Sequence, residues 1–570
     1  MKSKLLLFIF LISHFVFSQT SSDIQKLEDF AKIYSVVRHF HPSDEAANLQ
    51  WDLFATYGVE EVLKTKNQKE FEAKIKELFV PIAPSITYGK EEYQWGETNA
   101  KPVYWVHFGL GSGSKSEEYK RQRKNIDSIT LKIKNNKIPE KFYTLNLSGN
   151  FKVTVPLIVY QKNGKTLPLG NTEAYKNLKP QAFGRNEAVG NMIIMWSGLR
   201  HFFPYQDEMK LDWDKILNEG LTSTFNNKSE EENLFALRKI SHYFNDGHMW
   251  VTSPQYSQKN YFSPGIKTKY LRDTKQLVIS DILNEIPELK NGDVITKIDQ
   301  QDTQSVIDNT KQYWSGSDQY NTKNALTEIF RGKENSPVTL TLENGKTLQL
   351  KRDFSTRKSA DFFNQDNPWE MQELSDKILY INLQNLKKET VNEKASYIKS
   401  FDKIILDDRR YPKKGYGGAF ELLLTFFSDR NSVKFMAYPQ NENPFFNKSD
   451  FSNYFGWKIK RKEDLNAKIA LLICEGSGSF QESITQYLKG NNYVTLIGRT
   501  TGGVNGNINR VNLLNGMGYS FTGLKVRNPD GSLFHAIGVQ PDITVEDNIE
   551  DIRNGKDTFI EKAIVFLNAK

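Results

Sequence analysis

The chain has 570 residues, with 76 Lys+Arg against 68 Asp+Glu for a formal charge of +8, and 25% of its residues are charged. A chain of this length exceeds one hydrophobic core and is expected to form about three to five domains. Ordinary charged and apolar fractions exclude wholesale disorder, and basic residues spread without a cluster argue against nucleic-acid binding.

The N-terminal run MKSKLLLFIFLISHFVFSQT has a basic start (Lys2, Lys4), an apolar stretch from Leu5 to Phe17, and small residues at Val16 and Ser18. That order predicts a signal peptide over residues 1–18, cleaved before Gln19. The apolar stretch, interrupted by Ser13 and His14, is short for a membrane span. No lipid-anchor cysteine follows it, so a periplasmic or secreted protein without a stable span is expected. Cys474 is the single cysteine, which excludes an intramolecular disulfide and any cysteine-based metal site. Its setting, IALLICE, reads as a buried small hydrophobe. The eight histidines show no HExxH or comparable spacing, so neither a metal nor a cofactor is expected.

Residues 19–90 and 186–257 read as two copies of one helical module. Arg38, His39, Phe40, Pro42, Trp51 and Asp52 recur at a constant offset as Arg200, His201, Phe202, Pro204, Trp213 and Asp214. A fixed offset across six positions is the mark of an internal repeat. The aromatic RHF runs are expected to be packed helix ends. Between the copies, residues 91–185 hold strand-like runs such as PVYWVHFGL and FKVTVPLIVY, predicting a small β-rich domain. Within it GLGSGSK, Gly109 to Lys115, lacks the spacing of a phosphate loop and reads as an ordinary loop.

The second copy ends differently from the first. SEEENLFALRKISHYF opens with a capping box, Ser229 to Glu232, and carries Leu234, Leu237, Ile240 and Phe244 on one face. It breaks at NDG and enters a short predicted strand, HMWV, so His248 stands at a turn-to-strand junction. Residues 258–355 then give short strands with one helix, and NGDVITKIDQQ resembles the strand-turn-strand of PDZ domains, which capture extended peptides and C-termini. The remainder, 356–570, alternates strands and helices: KILYINL, KIILDDRR, GGAFELLLTFF, KIALLIC, FQESITQYLK, YVTLIG. This pattern predicts a largely parallel sheet covered on both faces. The fold class expected is multidomain α/β (α+β overall), with helical N-terminal modules, a small β domain, a PDZ-like domain and a C-terminal αβα sandwich.

In LLICEGSGSFQES, Ser479 follows a buried strand and opens a helix, where unpaired N–H groups carry partial positive charge. Those donors can stabilise an oxyanion, although a serine there can equally serve as a plain N-cap. GSGSFQES, IGRTTGG and GVQPDITV together resemble the core of C-terminal processing (tail-specific) serine peptidases. KIILDDRRYPKKG resembles that family's Asp-Leu-Arg-x-Asn-Pro-Gly-Gly segment, with Asp407, Arg409 and Pro412 matching. The resemblance runs from about Phe244 to the C-terminus and implies Ser479 as nucleophile, in a Ser-x-x-Glu motif with Glu482.

The departures from the family are as informative. Val504 stands where the bacterial processing branch has its lysine base, so a Ser-Lys dyad of that kind is excluded. The tricorn-like branch uses a histidine before the PDZ domain, and His248 matches that place. Imidazole, with an unperturbed pKa near neutral, suits a general base. The oxyanion loop carries Lys413-Lys414 instead of Gly-Gly, and His535 replaces a frequent Glu. The resemblance thus implies an endopeptidase with Ser479 and His248 catalytic, Phe480 and a backbone N–H near Lys413 as oxyanion donors, Glu482 in support, and a polypeptide as partner, through its C-terminus in one reading. The alternative is a catalytically inactive peptide- or small-ligand-binding protein on the same fold.

Overall fold

The computed structural model describes residues 2–92, 99–107, 121–125, 140–356, 369–374, 377–413, 415–437, 439, 441, 443–444, 454–461 and 464–569, with side chains from residue 21 onward. The GLGSGSK loop lies outside the described residues. Helix α1, Lys2–Phe40, runs without a break past the expected cleavage point. Among the described residues, no helix is long and apolar enough to cross a membrane.

Helices α2 (Trp51–Leu63), α3 (Gln68–Phe79), α4 (Arg185–Phe202), α5 (Trp213–Thr224) and α6 (Glu230–Ser241) join α1 around one core. In α6 the Ser229 hydroxyl accepts from the Glu232 N–H, 3.2 Å, as the capping pattern requires. The two RHF turns meet face to face. His39 and His201 stand 5.3 Å apart ring to ring, His39 lies 5.1 Å from Phe202, and Phe40 lies 4.9 Å from His201. Phe40 and Phe202 are parallel, 6.5 Å apart. This reciprocal pattern is what a pseudo-twofold axis between the copies produces, and it buries both motifs as core. Short strands between the copies form a four-stranded and a three-stranded antiparallel sheet.

The next unit is an antiparallel sheet of β1 (Ile266–Leu271), β2 (Gln276–Ile282), β3 (Val294–Ile298), β4 (Pro337–Leu342) and β5 (Thr347–Lys351) in that order, with a short strand, Gln301–Asp302, pairing with β3. Helix α7, Asp318–Glu328, packs beside its edge strand β1. The C-terminal sheet runs β6 (Met371–Leu374), β7 (Ile378–Asn382), β8 (Lys403–Asp407), β9 (Lys468–Ile473), β10 (Thr495–Gly498) and β13 (Ile543–Thr544). Only β6 is antiparallel. β7 and β9 are continuous apolar runs because both faces are covered, by α8 (Phe480–Gly490) and its neighbours on one side and α9 (Thr558–Asn568) on the other. The mixed α/β expectation holds.

One small sheet joins the halves. β11 (Ile508–Asn512) and β12 (Gly518–Thr522) form a hairpin, and β12 also pairs with the two-residue strand Val251–Thr252. Tyr519 and Phe521 of β12 enter the core of the helical repeat. The HMWV strand of the sequence reading is therefore shorter than expected. Residues 245–250 stay in a turn, since Asp246 and His248 spend their backbone groups on local and side-chain partners instead of a ladder.

Candidate active site

Strand β9 ends at Ile473, and a five-residue turn leads to Ser479 at the mouth of α8. Ser479 has φ +58° and ψ −120°, a region that costs a non-glycine residue about 1–3 kcal/mol and persists only where surroundings enforce it. The enforcement is visible. The Ser479 N–H donates to Val504 O and to Glu482 Oε2, 3.2 Å, while Ser479 O accepts from the Ser483 N–H, 3.1 Å. A serine on a sharp strand-to-helix elbow exposes its hydroxyl above the sheet. Ser479 is half-buried, and the Tyr411 phenol reaches its side chain. The Phe480 N–H, first in α8, has no partner among the described residues.

Ser477 has a different fate. Its hydroxyl donates to Asp408 O, 2.8 Å, and accepts from the Cys474 N–H, 3.1 Å, fully buried. It braces the turn. Cys474 is half-buried, and burial raises its thiol pKa, so it stands as a protonated thiol in the wall of the sheet.

Glu482 ties α8 to the Thr501–Val504 loop. Its Oε1 accepts from Thr501 Oγ1, 2.6 Å, and the Gly503 N–H, 2.7 Å; its Oε2 accepts from the Val504 N–H, 2.9 Å. Burial pushes its pKa up to about 7, against the pull of these donors. Val504 is 3% exposed, and a Cβ on Gly247 would stand 2.2 Å from its Cγ2. Val504 thus links the Ser479 turn, through its carbonyl, to the segment that carries His248.

His248 is fixed at both ends. Its N–H donates to Asp246 Oδ1, 3.0 Å, and its carbonyl accepts from the Ser520 hydroxyl, 2.7 Å. Its Nδ1 lies 3.0 Å from Thr522 Oγ1, and that hydroxyl donates to Asp246 Oδ1, 2.7 Å. With its proton directed at the carboxylate, Thr522 Oγ1 can only accept from the ring, so Nδ1 carries the hydrogen and Nε2 keeps a lone pair. Asp246 Oδ2 accepts from the Thr522 N–H, 2.7 Å, completing the arrangement. Burial lowers the His248 pKa to about 4, with Asp246 opposing and His535 adding to the fall. The ring is a neutral base throughout the physiological range, lower than the near-neutral value of a free imidazole. No hydrogen bond joins His248 to Ser479 among the described residues, and catalytic contacts are often open before substrate binds.

Two expectations at the periphery change. The Lys413 N–H donates to Gln384 O, 2.9 Å, so it cannot point at an oxyanion in this conformation. Gly415 follows at φ +85°, and Lys414 lies outside the described residues. His535 stacks on Tyr205, 3.8 Å between centroids, and its Nε2 contacts Phe244 O at 3.1 Å. Asp246 is the carboxylate beside His248. In the sequence it is only the middle residue of the NDG break, and Thr522 has no readable role, since no sequence signal joins residues 276 apart.

Comparisons with known proteins show similarity over the same part of the chain. Residues 377–545 match the profile of peptidase family S41. A probable CtpA-like serine protease of Staphylococcus aureus (strain N315) is 27% identical over 233 residues, 39% of this chain and 43% of that protein. A probable CtpA-like serine protease of Staphylococcus haemolyticus is 25% identical over 293 residues, 49% of this chain and 52% of that one. The chain thus spans about half or less of the length of these relatives. The structure of mature CPAF complexed with lactacystin superposes with a TM-score of 0.53 at 14% identity, covering 67% of this chain and 97% of that one. At that identity the likeness shows the fold alone.

Proposed function

Given a family S41 peptidase segment at residues 377–545, we propose that this chain is a secreted or periplasmic serine endopeptidase with Ser479 as nucleophile and His248 as base. The observation that carries the reading is the enforced backbone of Ser479, at φ +58° on the strand-to-helix elbow. In the first step Ser479 Oγ attacks the scissile carbonyl while His248 Nε2 takes its proton. The oxyanion settles on the Phe480 N–H and on a second donor from the Tyr411–Gly415 loop. His248 then returns the proton to the leaving amine, and water, activated by the same ring, releases the acyl group. Thr522 and Asp246 are positioning residues, holding the proton on Nδ1 so that Nε2 faces the reaction as an acceptor.

The sheet of β1 to β5 reads as a PDZ-like unit, in which an extended peptide or C-terminus adds to the edge of β1 beside α7. It also braces the active site. Ser317 Oγ donates to Gly502 O, 2.7 Å, and Gln319 Nε2 donates to Thr501 O, 2.9 Å, and Ile537 O, 3.0 Å. Deleting residues 258–353 should therefore abolish hydrolysis of small esters and long peptides alike, so peptide delivery is best tested by single changes along β1.

The open His248–Ser479 geometry favours a second reading, a catalytically inactive peptide-binding protein. A fluorophosphonate serine-hydrolase probe separates the two. Mapping of the label to Ser479, lost in Ser479→Ala, supports the peptidase; a folded protein that takes no label sinks it.

A further inference from the structure

The exit of β8 is lashed to the turn before Ser479. Asp408 O accepts from the Ser477 hydroxyl, 2.8 Å, and from the Gln481 amide, and Arg409 O accepts from the Cys474 thiol, 3.5 Å. Two residues further on, Tyr411 precedes Pro412, and a residue before proline is held in extended backbone. From this anchored stretch the Tyr411 phenol reaches the Ser479 side chain and hydrogen-bonds with it. The Asp-Leu-Arg-x-Asn-Pro-Gly-Gly segment that this stretch resembles has Asn at the place of Tyr411, so the phenol is a departure from that segment.

Two hydroxyls in contact can share a hydrogen bond in either sense, and acidity decides which donates. A free phenol ionises at about pH 10, and burial raises that value here, so Tyr411 keeps its proton at neutral pH. As the more acidic hydroxyl it donates, Ser479 Oγ accepts, and the serine's own hydrogen is left for a base. The two residues that follow offer no backbone substitute. Pro412 has no N–H, and the Lys413 N–H is spent on Gln384 O, 2.9 Å. The Phe480 N–H, without a partner among the described residues, is one oxyanion donor. A second must come from elsewhere in that loop.

We propose that Tyr411 is a catalytic residue whose phenol O–H completes the oxyanion hole together with the Phe480 N–H. The proposal rests on Ser479 being the nucleophile. As the Oγ–carbon bond forms, the serine proton passes to His248 Nε2 and the carbonyl π pair moves onto oxygen. The phenol hydrogen turns from Oγ to that oxygen and stays on Tyr411 throughout. When the carbonyl re-forms, the carbon–nitrogen bond breaks, the amine takes the proton from His248, and the phenol returns to its resting contact.

Tyr411 is 56% exposed, so Tyr411→Phe removes a hydroxyl without opening the core, and its melt should match the wild type. On a peptide that the wild type cleaves, kcat should fall about a hundred- to a thousandfold with KM nearly unchanged. The rate at which a fluorophosphonate probe labels Ser479 should fall with it, because the phosphoryl oxygen takes the place of the oxyanion. A peptide aldehyde, which adds to the serine as a tetrahedral hemiacetal, should bind the variant more weakly by a similar factor. Binding of the uncleaved peptide to Ser479→Ala, read by fluorescence anisotropy, should not change when Tyr411→Phe is added, whereas a packing role would weaken both. Unchanged kcat and labelling in Tyr411→Phe, or a loss confined to KM, overturns the proposal and leaves Ser479 as the nucleophile. A folded wild type that takes no label on Ser479 overturns the peptidase reading, and the role of Tyr411 falls with it.

Discussion

At the seam of the helical repeat, His39 and His201 lie ring to ring among phenylalanines; where the second copy ends, His248 lies against a hydroxyl and a carboxylate. All three are buried, and burial holds the pKa of each down, well below the usual value for His39 and His201 and to about 4 for His248. The surroundings differ in what they leave available. Edge-to-face rings enclose the first pair, so its chemistry is spent on packing. Around His248 one nitrogen is anchored by Thr522, and the other keeps its lone pair. Burial alone does not distinguish the three histidines; a fixed tautomer with one nitrogen available does.

The sharpest way to break this contrast is at the nucleophile. Ser479→Ala should lower kcat on the order of a million-fold with an unchanged melt. Ser479→Gly should be as inactive yet melt at or above the wild type, because glycine removes a strain of about 1–3 kcal/mol. A lower melt for the glycine variant would mean the φ of +58° is not enforced as described. Ser477→Ala should behave in the opposite sense, retaining the nucleophile but losing about 1–3 kcal/mol, since it strands the buried Cys474 N–H; a nucleophilic loss without instability would show the motif register to be wrong.

Next in size is the base. His248→Ala should lower kcat/KM by about two to four powers of ten. In the wild type the acid limb of kcat/KM should lie near pH 4, activity falling as the ring gains a proton, and should vanish in the variant. A limb between pH 6 and 8 would place the titrating base in a wetter site than the one His248 occupies. Val504→Lys should not rescue this loss, because Val504 is buried hard against Gly247.

Thr522 tests the tautomer itself. Thr522→Val should lower kcat about a hundredfold with little change in KM, whereas Thr522→Ser restores it. Equal damage by both would reduce Thr522 to a packing role.

The smallest effect belongs to the repeat. His39, His41, His107 and His201 are neutral in the fold, with His41 and His107 lowered to about 3 by burial. Their folded pKa lies below the unfolded value near 6.5, so their contribution is full above that pH and is lost as pH falls toward the folded value. Each should cost up to about 1.4 kcal/mol per pH unit in that window. His201→Phe should flatten the acid decline measured by denaturant titration while leaving kcat/KM at neutral pH unchanged; an altered kcat/KM would join the two histidine sites that this comparison separates.

Local sequence was sufficient wherever one element carried the information. The strand-to-helix position of Ser479 was legible because an apolar strand, a glycine turn and a helix start are contiguous. The α/β alternation of the last third and the six recurring residues of the repeat were legible for the same reason. Tertiary structure decided the rest. Asp246, Thr522 and His248 become one unit only when β12 pairs with Val251–Thr252, and Lys413 loses its N–H only when Gln384 folds back on it. Ser317 reaches Gly502 only because the start of α7, in a separate unit, docks on the Thr501–Val504 loop. Hydrophobic periodicity fixes which face of an element is buried, but it carries no record of which distant polar group that face will meet.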